Sequence, residues 1–210
     1  MAESFEAKKK RAGRILRVLK KTYPNACIAL KYKTPVQLLV AVILSAQSTD
    51  AQVNKTTEKL FKKYKTVSDF AEADLKTFTK EVSSVNFYKN KAKFIVNAAK
   101  KIKEEYGGKL PNDINELVKL AGVARKTANI VQYQIYGKAE GIAVDTHVKR
   151  VAYNLGLTNK KDPVKIEQDL MKLYPQKEWG QIEFYFQAYG RTVMKARGKA
   201  DMEDPLAGLY

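Results

Sequence analysis

The chain has 210 residues, and 45% of them are hydrophobic, so it can bury a core in one domain or in two small ones. Lysine and arginine number 39 against 22 aspartates and glutamates, and the formal net charge of +17 favours a polyanionic partner, nucleic acid above all, over a merely lysine-rich globular protein. A single cysteine, Cys27, excludes intramolecular disulfides and thiolate metal clusters, and no apolar run reaches the roughly 20 residues of a membrane span.

Helices follow one another along the whole chain. Apolar residues recur at three- and four-residue spacing, as in Ile15, Val18 and Leu19, whereas alternation with a period of two is nowhere sustained. The pattern predicts an all-α protein with about nine or ten helices. Cys27 stands in the apolar run ACIAL, where a buried and inert thiol is expected.

Capping residues and glycines predict where several helices begin and end. Helices should start at Thr34 before Pro35, at Thr49 or Asp50, and at Asn112. Gly107 with Gly108 and Gly137 should end two of them, because glycine takes the left-handed conformation that closes a helix.

Two of the predicted helices, 113–120 and 126–136, are joined by residues 121–125. Gly122 in this joint can take a positive φ, and the amides at the start of the second helix then form a seat for phosphate. Amides and a helix dipole recognise phosphate and not base, so the joint suits DNA binding without sequence preference. An ordinary helical hairpin is the alternative.

Lys126 and Asp145 are the candidate catalytic residues. Lys126 opens the second helix, where the dipole and Arg125 disfavour its ammonium form and so favour the neutral amine that nucleophilic attack requires. Asp145 follows 19 positions later and could stabilise a developing positive charge. The alternatives are a solvated surface lysine and an aspartate that only caps the helix THVKRV. His147 is the only histidine, which excludes a multi-histidine metal site.

LAGVARKTANIV at 120–131, IAVDTHVKRV at 142–151 and LLVAVILSAQSTDAQVNK at 38–55 resemble the endonuclease III branch of helix-hairpin-helix DNA glycosylases. The likeness extends from about Thr34 to Arg197. It implies two helical domains with a DNA-binding cleft between them: residues 24–136 as a six-helix domain with the hairpin motif, and residues 1–23 plus 137–210 as a domain built from both termini.

The resemblance also implies a chemistry: a base-excision-repair glycosylase and abasic-site lyase acting on damaged, oxidised pyrimidines. Lys126 matches the family's nucleophile, which forms a Schiff base and cleaves the strand by β-elimination, and Asp145 matches its catalytic aspartate. No metal or other cofactor is expected. Two alternatives remain: a mismatch uracil or thymine glycosylase, which Lys126 disfavours, and a non-catalytic DNA-binding module, which Lys126 and Asp145 together disfavour.

Further residues are expected to contact DNA. Gln47 resembles the family's inserted polar side chain, and Phe87 stands where a leucine wedge is common, with a core phenylalanine as its alternative. The remaining expected contacts are Gly122, Val123, Ala124, Arg125, Thr127 and His147. The expected partner is double-stranded DNA with a damaged base or an abasic site, bound by a monomer in the cytoplasm at the nucleoid, with no membrane involved.

Two departures from the family pattern stand out. Ala121 and Ala124 replace a proline and a glycine of the joint, and an alanine forced to positive φ would strain it by roughly 1 kcal/mol. The four positions that hold iron-sulfur cysteines in many members are Met194, Asp201, Asp204 and Tyr210. No cluster is therefore expected, and packing by Met202, Leu206 and Tyr210 is expected to replace it.

Overall fold

The computed structural model describes residues 3–210, and this part of the chain contains eleven α-helices, one 3₁₀ helix and no strand. The all-α prediction is confirmed, whereas the expected nine or ten helices were too few. The difference comes from helices of five and seven residues, which are too short to show a periodic pattern. The described residues divide into two compact units, Met1–Ile28 with Lys138–Tyr210, and Ala29–Gly137; residues 1 and 2 lie outside the described part.

The unit Ala29–Gly137 is built around one buried helix. Its helices are α2 (Pro35–Ser45), α3 (Asp50–Lys63), α4 (Val67–Ala71), α5 (Leu75–Glu81), α6 (Tyr88–Glu105), α7 (Ile114–Leu117) and α8 (Arg125–Tyr136). Residues 36–44 of α2 are all buried, and the helix packs against α3, α6 and α8. A helix that is apolar on every side must lie at the centre of its unit, which explains the run LLVAVIL.

The other unit packs around α11. It contains α1 (Phe5–Thr22), α9 (Thr146–Asn154), α10 (Pro163–Leu173), a 3₁₀ helix (Gln176–Glu178) and α11 (Trp179–Thr192). Ile15 and Leu19 of α1, Val151 of α9 and Phe186 of α11 meet in one fully buried cluster. This core holds α9, and therefore Asp145, in place.

The predicted helix boundaries were mostly correct. The Thr34 and Thr49 hydroxyls cap α2 and α3, and Gly137 ends α8 in the left-handed conformation. Asp113, and not Asn112, caps α7. The helix expected at 113–120 is only one α-turn long, because Lys119 and Leu120 donate to the carbonyls three residues back, and this tighter winding turns both Leu117 and Leu120 into the core.

Cys27 is exposed, so the expectation of a buried thiol was wrong. It lies in the link between α1 and α2, which has no regular secondary structure around this residue. Leu30 is buried in this link and Cys27 faces outward. Among the residues from 3 to 210, no helix is both long and apolar enough to cross a membrane.

Candidate functional site

The turn between α7 and α8 requires glycine at position 122. Gly122 has a φ of +76°, and a Cβ added there would lie 2.8 Å from the Cβ of Phe94. The predicted positive φ is confirmed, and the close approach of α6 adds a second reason for glycine. The expected strain at Ala121 and Ala124 is absent, since neither alanine has a positive φ.

The first turn of α8 lacks the usual side-chain cap. Its N-cap is Ala124, whose methyl group cannot accept a hydrogen bond, and Ala124, Arg125 and Lys126 are all exposed. Thr127 is half-buried. A helix start with exposed amides and no side-chain oxygen at its cap attracts anions such as phosphate. The Val123 side chain is buried, and its N–H donates to the Leu120 carbonyl at 3.1 Å.

Lys126 is the second residue of α8 and directly follows this turn. Its side chain is exposed, so solvent or a ligand can reach it. The helix and its glycine turn hold the backbone of this lysine in a fixed place, as a nucleophile needs.

Asp145 is held through both carboxylate oxygens. Its Oδ1 accepts from the Val148 N–H at 2.8 Å and caps α9, and its Oδ2 accepts from Gln187 Nε2 at 3.1 Å. The capping role raised by the sequence is thus confirmed. The sequence did not point to Gln187, which lies on α11 and also donates to the buried Glu183 at 2.8 Å. Only the packing of α9 against α11 brings Gln187 to Asp145, so no local signal could have found it.

His147 is the second residue of α9 and lies beside Arg150. The Arg150 Nη2 is 3.1 Å from the His147 Nδ1 and also donates to the Gly190 carbonyl. A guanidinium only donates, so this contact is a hydrogen bond only when the His147 Nδ1 carries no proton. Burial lowers the pKa of His147 below 6.5; the Asp145 charge opposes this, and Arg150 and Arg191 add to it.

Gln47 and Phe87 share an unusual backbone conformation. Their φ values are +55° and +56°, and within the described chain they are the only residues other than glycine with a positive φ. Both are exposed, Phe87 by 62%, so the alternative of a core phenylalanine is wrong. Asn86 Nδ2 donates to the Gln47 carbonyl, which brings the two residues, 40 positions apart in sequence, onto neighbouring loops.

The four family cysteine positions hold no thiolate. Asp201 pairs with Lys195, and Asp204 accepts from the hydroxyls of Tyr189 at 2.8 Å and Tyr210 at 2.6 Å. Carboxylates engaged in this way, together with a thioether and a phenol, do not fit an iron-sulfur cluster, which needs soft thiolate ligands. Leu206 is fully buried as expected, whereas Met202 and Tyr210 are about half exposed, so the expected packing of these two was wrong.

The sequence of this chain is similar to a family of DNA repair proteins. A sequence profile described as HhH-GPD superfamily base excision DNA repair protein matches residues 40–176. An Endonuclease III of Synechocystis sp. is 48% identical over 209 residues, covering 100% of this chain and 95% of the relative.

Two solved structures are similar over the whole fold. A non-covalent Endonuclease III–DNA complex matches with a TM-score of 0.90 and 38% identity, covering 96% of this chain and 94% of the other. A trapped Endonuclease III–DNA covalent intermediate, an estranged-adenine complex, matches with a TM-score of 0.87 and 38% identity, over 91% and 90% of the two chains.

Proposed function

The chain belongs to the HhH-GPD superfamily of base excision DNA repair proteins, and we propose that it is a bifunctional DNA glycosylase and abasic-site lyase. The observation that carries this proposal is the exposed Lys126 at the start of α8, immediately after the glycine turn. An amine here is what separates a lyase from a monofunctional glycosylase, since only an amine can form an imine with the sugar. The likeness to a trapped covalent DNA intermediate supports the same conclusion.

The partner is double-stranded DNA that contains a damaged base or an abasic site. The net charge of +17 supplies the attraction to phosphate, and the exposed first turn of α8 offers amides to a phosphate group. Gly122, Ala124, Arg125 and Thr127 make this contact, with Val123 holding the turn from inside. His147 contributes a further hydrogen bond to DNA.

The reaction begins with a flipped nucleotide. The Lys126 amine forms a bond to C1′ while the glycosidic bond breaks and its electron pair leaves with the base. Asp145 stabilises the positive charge that develops on the sugar, as an ionised carboxylate does best in a partly desolvated place. Its cap bond and the bond from Gln187 support this role, because they hold the carboxylate in one orientation.

Strand cleavage follows from the Schiff base. The Lys126 nitrogen first loses a proton, and the C1′–O4′ bond breaks with its electron pair going to O4′, which takes up a proton; the sugar ring opens and an imine forms between Lys126 and C1′. This imine acidifies the C2′ proton, and a base removes it. The electron pair then forms a C2′–C3′ double bond, and the 3′ phosphate leaves with the C3′–O bonding pair. Water releases Lys126 from the imine.

We propose oxidised pyrimidines as the substrate class, with Gln47 and Phe87 entering the duplex at the flipped position. The exposure of both side chains on neighbouring loops supports this role. Cleavage assays over a panel of duplexes, each with one lesion, test it: oxidised pyrimidines should be cut faster than uracil or thymine mismatches. Faster cutting of the mismatches would assign the protein to the mismatch glycosylases instead.

The protein should act as a monomer in the cytoplasm at the nucleoid, where its substrate lies. The strong positive charge supports association with DNA. Light scattering of the purified protein with and without abasic DNA checks the monomer, and microscopy of a fluorescent fusion checks the location.

Borohydride trapping tests the enzyme assignment and Lys126 together. Sodium borohydride should convert the imine on abasic DNA into a stable protein–DNA adduct, and Lys126→Ala should abolish it. Lys119→Ala, which removes an exposed lysine from the other side of the hairpin, is the matched control and should trap normally. Lys126→Gln should still bind damaged DNA, because one charge in +17 changes the field little. Undiminished trapping by Lys126→Ala would refute the assignment.

A further inference from the structure

Lys91 of α6 is a buried lysine that bonds only to neutral groups. Its residue is 4% exposed, and Nζ lies 2.7 Å from the Leu44 carbonyl, 2.6 Å from the Ala46 carbonyl and 3.2 Å from the Ser48 Oγ. An ammonium carries three N–H donors, so each of them has an acceptor. All three acceptors lie in the last turn of α2 or in the loop that follows it, and this loop contains Gln47.

The ammonium matches the electrostatics of this segment. Burial lowers the pKa of Lys91. The carbonyls at the C-terminus of α2 carry the negative end of the helix dipole, and they favour the charged form. Buried lysines are rare, since desolvation of the charge costs free energy. Lys91 connects three points of one segment by hydrogen bonds, which an apolar side chain such as leucine could not do.

Asn86 ties the second loop to the first. Its backbone N–H donates to the Ser48 Oγ at 3.1 Å, and its side-chain amide donates to the Gln47 carbonyl. Ser48 thus accepts from both Lys91 and Asn86. Asn86, which donates both of these bonds, immediately precedes Phe87 in sequence. Phe87 in turn is the N-cap of α6, the helix that carries Lys91.

We infer that Lys91 is a positioning residue that, with Ser48 and Asn86, locks the loops of Gln47 and Phe87 into one rigid pair before DNA arrives. The inference rests on the proposed function. A positive φ is a strained backbone conformation for residues other than glycine, as Gln47 and Phe87 are. Because the tie holds both loops in this conformation in the folded protein, the strain arises on folding and not on DNA binding, so two side chains are presented to the duplex without further ordering.

The tie between the two loops should matter for duplex DNA and not for single-stranded DNA. A duplex with an abasic site contains an orphan base, and paired loops can fill the gap beside it. Single-stranded abasic DNA has no orphan base. Loss of the tie should therefore impair work on duplex DNA and spare the chemistry of Lys126 on single strands.

The experiment compares Lys91→Met and Ser48→Ala with Lys93→Met, which removes an exposed lysine from the same helix. Each protein is tested on duplex abasic DNA with 2-aminopurine opposite the abasic site, and on single-stranded abasic DNA. We expect the fluorescence change on binding and the duplex cleavage rate to fall in Lys91→Met by roughly ten- to hundredfold, as loss of hydrogen bonds to a charged group does. Ser48→Ala should fall less, and Lys93→Met should match the wild type.

Single-stranded cleavage should remain within about twofold of the wild type in all three variants. Equal loss on both substrates, or no loss on duplex DNA in Lys91→Met and Ser48→Ala, would overturn the inference. If Lys91→Met does not fold, Ser48→Ala decides alone. A wild-type protein that cleaves neither substrate would refute the proposed function itself, whereas active wild type with unaffected variants would refute only the role of Lys91.

A double-mutant cycle separates positioning from general stability. In a background that carries both Gln47→Ala and Phe87→Ala, the two inserted side chains are already absent, so Lys91→Met should cause little further loss of duplex cleavage. A purely structural role for Lys91 would make the two losses multiply. Independent, multiplying losses would contradict the inference.

Discussion

At the scale of single residues, Asp145 combines a structural and a chemical task. Its Oδ1 caps α9 and its Oδ2 accepts from Gln187. An asparagine keeps a capping oxygen and removes the charge, so it separates the two tasks.

Asp145→Asn should therefore slow base release by about a hundredfold, since the charge is needed most while the glycosidic bond breaks. Cleavage of preformed abasic sites should be less affected, and thermal stability should hardly change. Single-turnover assays on both substrates measure this. Asp162→Asn is the control, because Asp162 caps α10 in the same way and lies outside the proposed site. Equal loss in both assays would refute this division of labour.

The lowered pKa of His147 predicts that the stability of the protein depends on pH. Its folded pKa lies below 6.5, the value of an ordinary histidine, because of burial and of Arg150 and Arg191, against the opposing Asp145. Below about pH 6.5 the unfolded chain binds the proton more readily than the folded one. The stability of the folded protein therefore decreases as the pH is lowered from about 6.5 to the folded pKa of His147. Above that window the contribution is constant.

His147→Gln should reduce the loss of melting temperature between about pH 7 and pH 5.5. Since the sequence has one histidine, no other imidazole contributes to this window. Thermal melts of both proteins across the range provide the measurement, and parallel curves would contradict the prediction.

At the scale of elements, the hairpin depends on the packing of its turn against α6. Gly122 needs both a positive φ and the space that Phe94 leaves for a hydrogen atom. Gly137 at the end of α8 also has a positive φ, +65°, yet a Cβ added there would meet nothing within 4 Å. The two glycines therefore separate backbone strain from close packing.

Gly137→Ala should cost about 1 kcal/mol of unfolding free energy, the price of the left-handed conformation alone. Gly122→Ala should cost more, because Phe94 must also move, and it should weaken DNA binding by displacing the amides of α8. Urea unfolding and a binding titration measure both effects. Equal destabilisation by the two substitutions would show that the contact with Phe94 is unimportant.

At the scale of the whole molecule, the C-terminal residues help to close the core of the unit Met1–Ile28 with Lys138–Tyr210. Leu206 is fully buried in that core, and Asp204 accepts from the fully buried Tyr189 as well as from Tyr210. A buried leucine and a carboxylate that accepts from two phenols therefore attach the C-terminal residues to this unit.

Leu206→Ala should lower the unfolding free energy by about 2–5 kcal/mol, as loss of a large buried side chain does. Met202→Ala, at a site that is 41% exposed, should change it by less than about 1 kcal/mol. Denaturant unfolding of the two variants measures the difference. An unchanged stability in Leu206→Ala would show that the tail does not hold this unit together.

The sequence by itself determined the features that depend on residues a few positions apart. Thr34 and Thr49 cap helices through amides three residues away, and Gly122 and Gly137 take a backbone conformation that other residues avoid. The motif around Lys126 was equally readable, because its turn and helix are contiguous in the chain.

The tertiary structure alone decided which distant groups meet. Gln187 reaches Asp145 across 42 positions, and Lys91 reaches Leu44 across 47, because helices from different parts of the chain pack side by side. Neither contact has a local pattern, since a glutamine or a lysine on a helix is ordinarily solvated. Burial also depends on the surrounding helices, and for this reason Cys27 in its apolar run is exposed while Lys91 in a basic run is buried.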